Sequence, residues 1–350
     1  NLALHIFNAI LVFYIFKKAL LHFKNSIGKN DAAISFFAAT IFLVHPIQTE
    51  SVIYIISRSE VLASTFYLLG FLLFQTCLEL HNRHSLLKKL ILPLVILFLI
   101  VVGFSVKQTL ATFPLIIFLY YISVCPLDSP VIKFILNWKW QILTAVLIFL
   151  SLLLYKLLSD ETFLIGPSRP DEMVGREKYM LSQPAVVIFY YLKKILFPIN
   201  LNVDPDVEVV THLLSFSFIA SIMMIAFIAY YLRKQEAWRF YIFFLSWFLI
   251  ILSPSSSIVT LHDLAAEHRV YLALPGVIFI LSYGLFDILK NQNSGILILC
   301  GLTLFLGALN IERNMAWKSE LSLWRDTYKK SPGKLRPLIN LARAHSIEGN

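Results

Sequence analysis

Charge is what this chain has least of. Only 15% of its 350 residues are Asp, Glu, Lys or Arg, 58% are hydrophobic, and the mean hydropathy is +0.74. A water-soluble domain is about a quarter charged and about half apolar, so a multi-span membrane protein is expected instead. Cysteine is also scarce. Cys77, Cys125 and Cys300 lie inside or at the edges of apolar runs with no metal-like spacing, and they read as small packing residues rather than disulfides. No Gly-rich phosphate loop, Walker pattern, Gly-x-Ser-x-Gly elbow or His-Glu-x-x-His pair occurs. That excludes the chemistry of nucleotide hydrolases and zinc proteases. No charged n-region or small-residue cleavage site leads the chain, so no signal peptide is expected. It starts at Asn1 and stops at Asn350 within a helical pattern, and both ends read as cut.

What is present is a series of apolar runs. About twenty such residues cross a hydrocarbon core some 30 Å thick. Ten runs approach that length: residues 2–21, 32–45, 60–80, 88–105, 109–125, 140–158, 211–232, 238–254, 270–288 and 294–311. Runs 32–45 and 109–125 are short, as spans that end in a water-filled recess can be. With Asn1 outside, the short inside loops hold 13 Lys and Arg against 9 on the longer outside segments before the tail, which favours that orientation. The net charge of +9 is therefore read against the bilayer and not as nucleic-acid binding. The segment Gln183–Pro198 reads as a helix in the outer interface, with Lys193 and Lys194 snorkelling. A membrane crossing there is the alternative, and it inverts everything that follows.

The polar clusters fall on that one side. His45-Pro-Ile-Gln-Thr-Glu50, continuing to Arg58 and Glu60, places a His, a Thr, two Glu and an Arg between two apolar runs. Pro46 breaks the arriving helix. Ionisable groups at such depth usually face a cavity or each other; an interfacial turn that satisfies helix ends is the plainer reading. Glu267-His268-Arg269, followed by Tyr271, stands at the mouth of a later run. Arg there can grip a phosphate with its fork of donors, or form an interfacial Glu–Arg pair that sets helix tilt. Lys107, on the hairpin Ser105–Thr109, either snorkels or reaches a phosphate as a point charge. Asn200–Asp206, including Asp204, reads as a solvated turn with Asx capping, with a divalent-metal role as the weaker option. The tail from Glu312 is charged and helical. Pro332, Leu338, Leu341, Ala342, His345 and Gly349 fall in the register of a tetratricopeptide repeat, and an isolated repeat cannot bury its apolar face.

Together the sequence resembles the membrane proteins that join a C-type glycosyltransferase core to tetratricopeptide repeats. In animals these are the transmembrane-and-tetratricopeptide-repeat O-mannosyltransferases; bacteria have relatives. The resemblance covers nearly the whole chain. It rests on Asn1–Asn8 with His5, His45-Pro46 with Thr49-Glu50, Arg58 with Leu62-Ala63, Ser105 with Lys107, and Tyr191 with Pro198 and Leu201–Asp204. Glu267–Arg269 with Tyr271-Leu272, and Arg313 with Trp317 and Leu323-Trp324, complete it.

The resemblance implies an all-α fold: a polytopic bundle of about ten spans over residues 1–311, then a linker helix and the start of a repeat solenoid over residues 312–350. It implies transfer of a sugar, mannose being one candidate, from a polyprenyl-phosphate carrier to a protein hydroxyl on the extracytoplasmic face. By that likeness Arg58, Lys107 and Arg269 hold the lipid phosphate. Glu50 and His45 support catalysis, and Glu60, Glu267, His268, Tyr271 and Asp204 are supporting polar groups. The resemblance fixes no cofactor beyond the polyprenyl-phosphate sugar as donor, and it leaves a divalent metal open. The partners are the lipid-linked sugar, an acceptor protein held by the repeats, and membrane lipid. In a bacterial relative the repeats face the periplasm from the inner membrane. The family's usual general base is an acid in a loop preceding the helix at Asn1, so no catalytic base is assigned within this sequence. Where the family often has an acid after the lysine, this chain has Gln108. Two other classes compete: a non-catalytic scaffold whose repeats recruit envelope proteins, and a lipid-linked polysaccharide flippase or polymerase. The nearly pure apolar middles of 211–232 and 294–311 argue against the latter.

Overall fold

The computed structural model describes residues 1–23, 31–80, 86–126, 174–256, 260–289 and 292–347, and these residues are helical with no strand among them. The run at 140–158 lies outside the described residues; each of the other nine becomes a helix. In chain order these are α1 (Leu2–His22), α2 (Asp31–Val44), α3 (Thr49–Ile53), α4 (Arg58–Leu80), α5 (Leu86–Val106), α6 (Phe113–Val124) and α7 (Arg176–Ala185). After a π-helical stretch at Val186–Leu192 come α8 (Lys193–Leu196), α9 (Phe216–Arg233), α10 (Trp238–Leu252), α11 (Leu274–Leu289), α12 (Gln292–Ala316), α13 (Glu320–Lys330) and α14 (Leu335–Ile347).

Four helical segments among the described residues are long and apolar enough to cross a membrane: Leu2–His22, Ile55–Glu79, Phe216–Arg233 and Asn293–Ala316. α2 and the segment Pro46–Ile53, bent by 48° at His45, reach that length together, as a broken span or a re-entrant loop. Four further apolar helices are shorter, over Ile91–Val106, Gln108–Val124, Trp238–Leu252 and Leu274–Leu289. This is compatible with a multi-pass membrane protein. α9 and α12 have the least cover, with 11% and 17% of their apolar windows buried, so their sides face outward.

The bend in α2 follows from Pro46. The residue before a proline is driven out of the helical region, and His45 is extended, with φ −64° and ψ 124°. Its imidazole Nδ1 accepts the backbone N–H of Ile47 at 3.2 Å and so caps the next short helix. In α7, Pro184 has no N–H to return to the preceding turn, and the helix widens to the π form two residues later.

The core is aromatic. Phe16 of α1 stacks on Phe279 of α11 with centroids 4.2 Å apart, and Phe71 of α4 meets Trp247 of α10 edge-on at 5.0 Å. Helices α10 and α11 touch closely at Gly276, where a Cβ would lie 2.6 Å from the Phe244 carbonyl. Between helices in lipid, apolar burial contributes little and close packing must hold the bundle. Buried polar clasps add to it, each worth about 0.6 kcal/mol on average. Tyr271 donates its hydroxyl to His5 Nδ1 at 2.8 Å and accepts Asn8 Nδ2 at 3.0 Å, while His5 Nε2 reaches the Leu43 carbonyl at 3.0 Å. Asn8 also donates to the Val61 carbonyl at 3.1 Å, tying α1 to α4.

The tail is a two-helix hairpin, α13 and α14, docked on the bundle. Ser319 opens α13 with a reciprocal capping box to Ser322. α12 runs past residue 311 to Ala316 before the hairpin begins. Lys330 donates to the Leu201 carbonyl at 2.8 Å, Asn202 Nδ2 donates to Ser331 Oγ at 2.7 Å, and Lys334 meets Asp204 Oδ1 at 2.5 Å. The stretch Asn200–Asp206 therefore differs from the solvated turn expected of its composition. Leu201, Asn202 and Asp204 are buried, because the turn between α13 and α14 seats on them. The expected Asx capping is kept, with Asn202 Oδ1 accepting the Asp204 backbone N–H at 3.3 Å, and Asn200 is in the left-handed region at φ 52°, a conformation that asparagine tolerates better than most residues.

Candidate functional site

Four separated parts of the chain meet at one end of the bundle: residues 45–60, the start of the hairpin at Lys107, the α7–α8 segment with the loop after it, and residues 263–271. The first and last are joined by Glu50. Its Oε1 accepts from His268 Nδ1 at 2.7 Å and its Oε2 from the His268 backbone N–H at 3.1 Å. Glu50 is 4% exposed, so this bidentate grip satisfies a carboxylate that water barely reaches. His268 is half-buried and sits in a short 3₁₀ turn, Glu267–Val270, that presents successive residues in different directions.

Glu60, in the first turn of α4, makes a direct ion pair with Lys107. Burial, then the like charge of Arg269, lowers the Lys107 ammonium to about 8, with Glu50 opposing. The touching Glu60 carboxylate is a further opposing charge and keeps the lysine ionised. Arg269 itself is held from two sides. Its Nη2 donates to the Asp263 carbonyl at 2.7 Å, and its Nη1 to the Tyr179 hydroxyl at 3.4 Å. Burial works against the Arg269 charge, and the neighbouring Tyr191, Tyr179 and Asp263 outweigh it, so its pKa is raised. Lys107 and Arg269 are thus electrostatic neighbours, with Glu50 and Glu60 beside them. Arg58 stands apart. It opens α4 two residues before Glu60, a spacing that puts the two side chains on different faces. It is exposed and makes no hydrogen bond or ion pair among the described residues.

Glu267 is the deepest acid, 1% exposed. Its Oε1 accepts the Asn202 backbone N–H at 2.6 Å and the Tyr190 hydroxyl at 3.1 Å; its Oε2 lies 3.8 Å from Arg313 Nη2. Burial raises its pKa to about 7, Arg313 opposing and Glu50 adding to the rise. Arg313 in turn donates to Asp326 of α13 at 2.9 Å. Asp263, whose carbonyl holds Arg269, uses its carboxylate to take Arg336 of α14 at 2.9 Å. Burial alone would raise the Asp263 pKa; Arg336, His262 and Arg269 together hold it below the usual value.

Several residues singled out from the sequence are placed in supporting positions. His45 is fully enclosed, with Nε2 donating to the Ile195 carbonyl at 3.0 Å and Nδ1 occupied by Ile47. Nε2 ties the bend to α8 and Nδ1 caps the short helix that follows it, which leaves neither nitrogen for proton transfer in this conformation. Tyr271 is likewise consumed by His5 and Asn8, and Asp204 by Lys334. Tyr190 stands out in the sequence only as half of a Tyr pair, and Tyr179 and Asp326 not at all. A tyrosine in an apolar helix and an aspartate in a charged tail carry no local signal, and only the packing of α7 and α13 against residues 263–269 gives them partners. Gln48 is 2% exposed, and neither of its amide atoms has a partner. Among the described residues, no three His, Cys, Asp or Glu side chains gather as a metal-holding group.

Compared with known proteins, the chain matches no family model, no curated protein and no solved structure.

Proposed function

We propose that this chain is a membrane glycosyltransferase that moves a sugar from a polyprenyl-phosphate carrier to a protein hydroxyl, as its resemblance to the transmembrane-and-tetratricopeptide-repeat O-mannosyltransferases implies. The observation that carries the reading is that Lys107 and Arg269, two cations from distant parts of the chain, feel each other's charge with the buried carboxylates Glu50 and Glu60 beside Lys107. In such transfer the acceptor oxygen forms a bond to the anomeric carbon as the bond from that carbon to the carrier phosphate breaks. The electron pair leaves with the phosphate, and fixed cations in low dielectric stabilise the charge it gains. Arg269, pre-oriented by the Asp263 carbonyl and Tyr179, offers a rigid fork. Lys107 offers a point charge once Glu60 yields part of its contact, while Arg58 is an exposed cation that stands apart from both. The hydroxyl proton passes to a base that none of these residues supplies. On this reading the site faces the extracytoplasmic side, and the hairpin α13–α14 begins a repeat array that presents the acceptor.

Arg269→Ala and Lys107→Ala are tested in membranes for sugar transfer from a polyprenyl-phosphate donor, with insertion checked separately. Transfer at the wild-type rate by both variants sinks the phosphate-holding role.

A second reading, a non-catalytic scaffold, draws support from one feature. The hairpin exposes Leu335, Leu338, Ile339 and Ile347, at 57%, 46%, 52% and 66%, an apolar face suited to a protein partner or to further repeats. That reading expects alanine at Arg269 and Lys107 to be silent and deletion of the hairpin to abolish function.

A further inference from the structure

Apart from the Lys107–Arg269 cluster lies a cavity of about 890 Å³. None of Glu50, Glu60, Lys107 and Arg269 lines it. Its walls are α8, the loop through Asn200–Asp206, the end of α12 and the hairpin helix α13. Tyr190 and Arg313 line this cavity and also hold Glu267. Its volume falls in the range of sites for small ligands, about 300–1,000 Å³.

The lining is cationic. Lys193, Lys194, Arg313, Lys329 and Lys330 face three acids, Asp206, Glu312 and Asp326. Three of the cations are already committed. Lys194 clamps the carbonyls of Ile199 and Asn200 at 2.7 and 2.8 Å, while Arg313 and Lys330 both take Asp326, at 2.9 and 2.7 Å. The other two, Lys193 from α8 and Lys329 from α13, have no hydrogen bond or ion pair among the described residues, and they reach the same space from different elements. Both are exposed, and Asp206 and Glu312 share the cavity with them without a side-chain partner among the described residues, so the lining as a whole carries five cations against three acids.

The remaining wall is apolar: Phe189, Ile199, Leu309 and Ala316. It continues onto outward-facing apolar surface, with Leu304, Phe305, Ile311 and Met315 of α12 between 58% and 71% exposed, and Phe197 63% exposed beside α8. A cation-rich hollow that opens along lipid-facing helices suits a phosphate group carrying an organic substituent. Lysine binds such phosphates as a point charge.

We infer that this cavity is a second anion site, one that takes a phosphate ester, with Lys193 and Lys329 as its free ligands. It stands without the glycosyltransferase reading, since neither its residues nor its test involves sugar transfer. The ester can come from a lipid headgroup or from a soluble phosphate, and the two are separable by experiment.

The purified full chain in phosphatidylcholine nanodiscs is titrated calorimetrically with inorganic phosphate. In parallel, native mass spectrometry counts phosphatidic acid retained against phosphatidylcholine. Saturable retention of phosphatidic acid alone identifies a lipid headgroup; saturable binding of inorganic phosphate as well shows that the phosphate group suffices. In either case K193E/K329E should weaken binding by about tenfold or more, as expected for the loss of contacts between charged groups. K318E, a charge reversal on an exposed lysine that does not line the cavity, should leave it unchanged. If K193E/K329E does not fold, K193Q/K329Q, with its melting temperature checked, decides the matter by the same loss. Wild-type affinity in the folded double variant overturns the site, and so does the absence of saturable binding of both probes.

Discussion

Helix α4 carries a Lys–Glu pair at each end, and the two ends are built differently. Near its end, Glu79 is 39% exposed and accepts Lys18 at 2.5 Å and His22 at 3.2 Å, both from the last turns of α1. At its start, Glu60 is 8% exposed and meets Lys107, 30% exposed, from a different helical hairpin. The first pair is a surface clasp between two adjacent helices. The second is crowded by Arg269 and Glu50, which no local interaction brings there. The same chemistry therefore yields a screened contact at one end and a strained assembly of charge at the other. A cluster of that kind is costly to fold, and functional sites are where proteins tend to keep such clusters.

The comparison can be broken most directly through Arg269. On the proposed function, Arg269→Ala should lower sugar transfer by about a hundredfold or more, the order lost when one preorganised charge-stabilising group is removed. Lys18→Ala, at the other end, should leave transfer within about twofold, as screened surface pairs contribute little. Equal losses in the two variants, measured in the same membranes, would falsify the distinction. Next in size is stability. Glu60→Gln leaves Lys107 partly buried without its partner, and a melt in detergent should show a loss of about 2 kcal/mol, below the 3–5 expected of a fully buried pair because Lys107 keeps contact with solvent.

Acidity gives a third test. Burial raises Glu267 from 4.5 to about 7. The native chain therefore holds a proton that the unfolded chain has released across that window. Its contribution to stability is present below about pH 4.5 and is lost as pH rises to about 7. Glu267→Gln should remove that part of the decline in melting temperature with rising pH; an unchanged slope would show that Glu267 does not titrate there. The smallest effect belongs to the exposed pair. Glu79→Gln should cost about 0.5 kcal/mol and less in high salt, and a loss as large as that of Glu60→Gln would erase the contrast between the ends.

Much of the helical layout was legible in advance because it depends on local composition. Apolar runs near the length of a span became helices, Pro46 bent the chain at His45, and Gln183–Pro198 is helical as far as Leu196. The polar clusters at 45–60, 107 and 267–271 were also visible, since charge in an apolar sequence stands out. Their roles were not. His45 and Tyr271 looked like Glu50 and Arg269 as letters in a motif, yet the first two have every polar atom consumed by the bundle. Asp204 looked like a solvated turn until Lys334 and Ser331, more than a hundred residues later, closed over it.

By itself the sequence determined that this chain is helical, apolar and interrupted by charge at a few points, because helix length and hydropathy are properties of neighbours along the chain. Tertiary structure alone decided which charges meet. Glu50 with His268, Glu60 with Lys107 and Glu267 with Arg313 are separated by tens to hundreds of residues, and a charge's energy depends on its distance to others and its access to water, neither of which is written in the order of residues.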